Sequence, residues 1–326
     1  MALLELTMTK PFLWGFLLLI TLLSPFAGTA SLDYNTLLET GSLSQRIFLE
    51  LRLPRILLAF VVGGTLALAG LLFQTLFRNS LMTPFTLGVS GGAVLGAGIS
   101  IKLGLGLILG ISAVSLFGFI GALFTVILLI VLSRYLKRAE QESLLLLGIA
   151  LSFFYTSALM VIFYLSSFTE TATIMRFTMG SLSIVGYESV MSISIIAGIL
   201  LSVLWLKRFE LQILAISDEQ ASLKGINTTR ITYLFLIITS LAIGVLVSLT
   251  GPIGFIGLII PHMIRRLYKK PVSQLIFPVF ALGGFFLLAC DTLARYFSTG
   301  SEIPIGVITA LIGGPFFIYL IISKQK

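Results

Sequence analysis

Charge is scarce in this chain. Only 10% of its 326 residues are Asp, Glu, Lys or Arg, against about 25% in a soluble domain. Cys290 is the one cysteine, so no intramolecular disulfide and no cysteine-based cluster can form. His262 is the one histidine and has no Cys, Asp or Glu beside it, so no metal site is expected. No Gly-Lys pair occurs, so the GxxxxGK[ST] loop that cradles nucleotide phosphates is missing. The chain is therefore not itself an ATPase, and no catalytic residue is assigned. No hydrophilic stretch is long enough for a soluble domain, and 1–326 is read as a single transmembrane domain.

Apolar residues fill the space. They make up 57% of the chain, and the mean hydropathy is +1.11. A helix crosses the bilayer with about 20 apolar residues. A membrane barrel alternates apolar and polar positions, whereas the runs here are continuous. Helices, which satisfy their own backbone hydrogen bonds in lipid, are the structure that fits. The expected class is an all-α polytopic membrane protein. Ten helices are expected near 11–29, 56–77, 86–101, 105–132, 143–166, 189–206, 230–249, 254–267, 273–296 and 305–322. The first thirty residues also have the layout of a signal peptide, but the length of the apolar stretch favours a retained first helix.

The net charge of +8 would suggest nucleic acid in a soluble protein. Here membrane topology accounts for it, and no nucleic-acid partner is expected. With the N-terminus inside, only Arg46, Arg52, Arg55, Lys102, Arg176 and Arg295 of the 21 basic residues fall outside. That obeys the positive-inside rule and places both termini in the cytoplasm. Three polar loops remain: 30–54 and 167–188 outside, and 207–229 inside.

A weak internal echo is present. The long helix 56–77 leads through a Pro-containing break to the short Gly-rich helix 86–101. The long helix 230–249 leads through Gly251-Pro252 to the short helix 254–267. The two pairs run in opposite directions. Inverted repeats with short or interrupted segments in matching places are a mark of transporters.

Residues 244–269, GVLVSLTGPIGFIGLIIPHMIRRLYK, gather Gly, Pro, His and Arg into one local pattern. Residues 52–74, RLPRILLAFVVGGTLALAGLLFQ, and 78–93, RNSLMTPFTLGVSGGA, form a second. Leu214-Ala215, Ala221 and Gly225 form a third, and 289–317, ACDTLARYFSTGSEIPIGVITALIGGPFF, a fourth. Together they resemble the FecCD-type permeases of ABC importers for iron-siderophores, haem and cobalamin. Departures are Ser80 for the usual Pro, Met82-Thr83 for Ala-Asp, Lys224 for Leu and Phe177 for Trp.

The resemblance implies an ABC importer type II permease fold, with ten transmembrane helices in two inverted repeats. It implies a bacterial plasma (inner) membrane location, and a homodimer or pairing with a related permease. A substrate-binding protein would dock outside on Arg52, Arg55 and Arg295. Cytoplasmic ATPase subunits, carrying ATP and Mg, would engage a coupling loop at about 207–229 through Ser217, Asp218, Glu219, Ala221 and Gly225. Asn79, Leu81, Gln141 and Glu142 would form a cytoplasmic gate. Met175, Phe177, Met179 and Phe316 would line the translocation path. Ferric siderophore is the expected substrate, with haem, cobalamin or molybdate as alternatives. Membrane lipid surrounds the whole.

The residues by themselves give further expectations. Guanidinium groups form bidentate pairs with carboxylates, which suits a docking role for the three arginines. Ser217 has the character of an N-cap, with Asp218 and Glu219 in a positive first turn. Asp291 is costly in mid-membrane and is expected near a helix end or paired with Arg295 one turn on. It is also the one carboxylate that an ion-coupled transporter could use. Gly88-Val89-Ser90-Gly91 matches a GxSG pattern, so an intramembrane serine protease with Ser90 and His262 is a rival reading.

Overall fold

Residues 15, 17–28, 33, 39, 41–108, 110–133, 141–298 and 302–323 are described in the computed structural model. Residues 53–76 are apolar on every side, and a helix of that kind belongs in an interior. They form α1 (Leu53–Leu76), the axis of the molecule. A short turn, Leu43–Arg46, and a π-helical stretch, Ile47–Arg52, lead into it without a break. The 34 residues Leu43–Leu76 have 83% of their most apolar window buried. Pro54 sits at this entry and has no N–H to bond the carbonyl of Glu50. That carbonyl instead accepts the backbone N–H of Gly186 at 3.0 Å.

The other elements follow in order. They are α2 (Val89–Lys102), a two-stranded hairpin β1 (Leu107–Ile108) and β2 (Ile111–Ser112), α3 (Ala113–Ser133), α4 (Gln141–Leu165), α5 (Phe168–Thr178) and α6 (Glu188–Leu206). Then come α7 (Arg208–Leu214), α8 (Asp218–Leu223), α9 (Thr228–Thr250), α10 (Ile256–Tyr268), α11 (Val272–Tyr296) and α12 (Ile305–Ser323). Among the described residues, six helices are long and apolar enough to cross a membrane. Leu17–Phe26, Val89–Lys102 and Ile305–Tyr319 are apolar but shorter.

Helix α1 packs against α11, α10 and α6, while α3 packs against α2 and α9. Lipid supplies no hydrophobic drive between helices, so close backbone approach through small residues takes its place. Gly63 of α1 lies on Gly283 of α11, and Gly70 lies on Gly257 of α10. A Cβ on Gly257 would come 2.8 Å from the Leu66 carbonyl oxygen, closer than real Cβ atoms stand. Gly92 of α2 meets Gly121 of α3 in the same way.

Each short helix of the internal echo is entered through a left-handed residue. Gly88 (φ 77°) precedes α2, and Phe255 (φ 68°) precedes α10. Two expectations change. The span expected at 105–132 begins at Ala113, because the hairpin takes the preceding residues. The loop expected at 167–188 contains α5, started by a capping box between Ser167 and Glu170. In the inner loop 207–229 the short helix expected behind Ser217 forms as α8, and a further one, α7, precedes it.

Candidate functional site

Three polar or open regions lie along the molecule. The first joins the start of α1 to the end of α11 and the residues before α12. Asp291 is fully buried and is held from two sides. Arg55 Nε donates to its Oδ1 at 2.9 Å, and Arg295 Nε donates to its Oδ2 at 2.9 Å. Arg55 Nη1 reaches both Glu302 oxygens at 2.8 Å. The Ser183 hydroxyl donates to Glu302 Oε2. Arg295 Nη1 and Nη2 donate to Ala27 O at 2.6 Å and Ser24 Oγ at 2.7 Å. Arg52 Nη1 donates to Pro25 O at 2.6 Å. The first apolar segment, α1, α11 and the entry to α12 are thus tied by one network.

Arg52, Arg55 and Arg295, expected as docking residues, do come together there. Their guanidinium groups are sequestered: Arg52 is 6% and Arg295 5% exposed. A recess of about 230 Å³ opens among Arg52, Arg55, Arg295, Ser183 and Glu302. Burial pushes the Glu302 carboxyl up, but the Ser183 hydroxyl and the Arg55 charge outweigh it and hold the group below its ordinary value. The expected Asp291–Arg295 pairing is present, and Arg55 joins it. Each Asp291 carboxylate oxygen is already engaged by a guanidinium, so neither is left to hold a coupling ion.

The second region is a groove of about 640 Å³ between the end of α5, the loop before α10, and α12. Its walls include Phe85, Met179, Pro252, Phe255, Val307 and Leu311. Thr178, Gly254, Gly306, Ala310 and Pro315 complete it. The geometry comes from three backbone contacts. Ser181 N–H donates to Thr250 O at 2.7 Å, Gly306 N–H donates to Met179 O at 3.1 Å, and Gly251 lies on the Phe177 carbonyl. A side chain at Gly251 or Gly306 would drive the end of α5 away.

Phe255 is left-handed without being glycine, a conformation that a bulky residue holds only when its surroundings impose it. Its side chain lies directly over Gly313 of α12. Met179 lines the groove. Met175 is exposed on α5, and Phe177 and Phe316 are half-buried outside the lining. The sequence reading missed Phe85, Pro252, Phe255, Val307 and Leu311. The GPIGF run was visible, but not which side chain it turns inward.

The third region is the α7–α8 end. Ser217 caps α8, accepting the Gln220 N–H at 3.0 Å. Arg78, at φ 45° just beyond α1, donates to Leu214 O at 3.0 Å and to Asp218 Oδ1 at 2.6 Å. Gln74 Nε2 donates to Gly257 O at 3.0 Å, and Arg265 Nη1 donates to Gln74 Oε1 at 3.0 Å. So α8 is tied to α1, and α1 to α10. Asp218, Glu219 and Leu223 face outward, with Leu223 87% exposed. Gly225 closes α8 at φ 75°. Ala221, expected as a surface residue for a partner's approach, is fully buried and belongs to the core.

Of the expected gate residues, Asn79 forms a local turn, its Oδ1 accepting the Leu81 N–H at 2.9 Å, and Leu81 is 47% exposed. Gln141 and Glu142 open α4, and their side chains lie outside the described residues. The Ser90 hydroxyl is buried with no hydrogen-bond partner among the described residues. A nucleophile needs its base within hydrogen-bond reach, so the Ser90–His262 protease pair is not formed.

The family model of the FecCD transport family matches residues 16–323. The chain belongs to that family. This FecCD permease is 35% identical to the hemin transport system permease protein HmuU of Yersinia pestis, over 96% of both chains. It is also 35% identical to the vitamin B12 import system permease protein BtuC of Serratia proteamaculans, over 86% of this chain and 83% of that one. Among solved structures it matches an inward-facing putative metal-chelate type ABC transporter. The TM-score there is 0.81 at 27% identity, covering 95% of this chain and 98% of the other. It is therefore a helical, multi-pass permease of the ABC importer class.

Proposed function

We propose that this permease imports iron as a ferric siderophore, moving it inward through a path completed by a second permease subunit. The 640 Å³ groove carries the reading. It lies open on one face, is walled by Phe, Val, Leu, Met and Pro, and has one hydroxyl, Thr178, with no charged side chain. A lining of that kind suits a large chelate that must pass without being trapped. Relatives named for hemin and for vitamin B12 are both large metal chelates.

In this reading the binding protein docks over the recess among Arg52, Arg55 and Arg295, whose guanidinium groups are already engaged by Asp291, Glu302 and backbone carbonyls and shape the docking face without pairing with the partner directly. ATP is hydrolysed with Mg on a separate ATPase seated against α8, whose outward residues are Asp218, Glu219 and Leu223. The tie from Asp218 through Arg78 to α1, and through Gln74 to α10, gives that movement a route to the groove. The test is uptake of labelled ferric siderophore, haem, cobalamin and molybdate by a deletion strain with and without this gene. Gene-dependent siderophore uptake that stops on ATP depletion is expected. Uptake of one of the other three instead would keep the importer and replace the substrate.

A further inference from the structure

A chamber of about 250 Å³ lies against the groove, lined by Leu66 of α1, Thr83 and Pro84 of the loop before α2, and Gly257 and Leu258 of α10. Phe85, Gly254 and Phe255 line both spaces, so they form the boundary between them. Gly254 contributes no side chain, and a Cβ built on it would meet nothing within 4 Å. The boundary is therefore open at Gly254, and its width is set by the two phenyl rings. A cavity of about 150 Å³ holds a benzene, so a small cyclic molecule fits the chamber.

Phe255 is the fixed member of the pair. Glycine takes a φ of 68° without cost, and a phenylalanine does not. The Phe255 carbonyl accepts the N–H groups of Leu258 and Ile259 at 3.0 and 2.9 Å and so starts α10. Glycine would make the same bonds, so the backbone has no need of the ring. The ring's place is set by α12, where a Cβ on Gly313 would come 2.5 Å from the Phe255 Cβ. Residues held in such conformations cluster at ligand clamps and switches.

We propose that Phe255 sets the size of molecule that passes between the groove and the chamber, with Phe85 as the other lip. The inference rests on the reading that the groove carries the chelate. Charge has no part in the selection, because neither lining holds a charged side chain. Bulk decides: a chelate slimmer than the opening continues past the rings, and a broader one stays in the groove.

Thiol labelling of the full chain, purified in its assembled form, tests this. Cys290 is 1% exposed and is replaced by Ala, so that one introduced thiol reports at a time. Leu258→Cys places a thiol in the chamber, and Ala310→Cys places one in the groove. N-ethylmaleimide should react at both positions. Fluorescein maleimide should react at Ala310→Cys and leave Leu258→Cys unlabelled. Adding Phe255→Gly should speed its reaction with Leu258→Cys about tenfold, the discrimination that a change of size brings in an apolar pocket. Its reaction with Ala310→Cys should not change, whereas a merely structural role for Phe255 would move both. Glycine suits this φ, and Phe85→Ala reads the same boundary from its other side. Labelling of Leu258→Cys by fluorescein maleimide that neither change speeds overturns the proposal, as does a chamber thiol that N-ethylmaleimide never reaches. In cells, Phe255→Trp should lower the maximal uptake rate of whichever labelled chelate the unaltered chain imports, at an unchanged half-saturating concentration. An unchanged maximal rate also overturns the proposal. No uptake by the unaltered chain would sink the importer reading instead, and the labelling would still decide the boundary.

Discussion

The two charged ends of this permease are built differently. At the arginine end, Asp291 is fully buried and shared between Arg55 and Arg295. At the α8 end, Arg78 meets an Asp218 that is 64% exposed. Buried ion pairs cost desolvation but leave their members no alternative partner, so breaking one is severe. Exposed pairs are weak and replaceable. The first end is therefore a fixed clamp holding the first apolar segment, α1, α11 and α12 together. The second is a weaker joint, and in the proposed import cycle it would pass the displacement of α8 to α1.

Four changes would break or sharpen that contrast. Asp291→Ala should have the largest effect, because it leaves the buried Arg295 guanidinium without a carboxylate and Arg55 with Glu302 alone. A loss of about 3–5 kcal/mol is expected, seen as lost folded yield or a steep fall in thermal stability in detergent. A near-normal melting temperature would show that the clamp is not structural. Arg78→Ala removes two bonds to Leu214 O and the Asp218 pair. It should cost about 1–2 kcal/mol and should lower substrate uptake per ATP hydrolysed in the assembled importer. Uptake per ATP at the unaltered level would remove the joint from the coupling route.

Glu302 gives the third test. Its carboxyl lies below glutamate's ordinary value of 4.5, so its contribution is complete above that pH and is lost as pH falls through the lowered value. The side chain is 40% exposed, so the effect should be about 1 kcal/mol or less. Glu302→Gln should flatten the acid limb of the melting temperature, and an unchanged limb would assign it to other carboxylates. Asp218→Asn should be smallest, within about 0.5 kcal/mol for an exposed pair. A larger loss of thermal stability would mean that the two ends are alike.

The Gly-rich helix contacts illustrate what reads in a sequence. Gly63, Gly70 and Gly257 stand in runs where small residues at a helix contact are the natural meaning, and the structure uses them so. The Asp291–Arg295 pair was legible because four residues make one turn. The Arg55–Asp291 contact was not, because 236 residues separate its members. Ala221 misled for a related reason. Its small size fits a surface cleft and a tight core equally well, and only packing tells them apart. The capping box at Ser167 and Glu170 was present in the letters, yet the segment's polarity outweighed it in the reading.

Sequence alone determined the helical membrane class, the family, the place of most long apolar helices and the Ser217 cap. These depend on hydropathy and on contacts a few residues apart. Tertiary structure decided which arginines are sheltered, which way Ala221 and Phe255 face, and which walls close the groove. Those outcomes depend on elements brought together from distant parts of the chain, where no local pattern records which neighbour each side chain will meet.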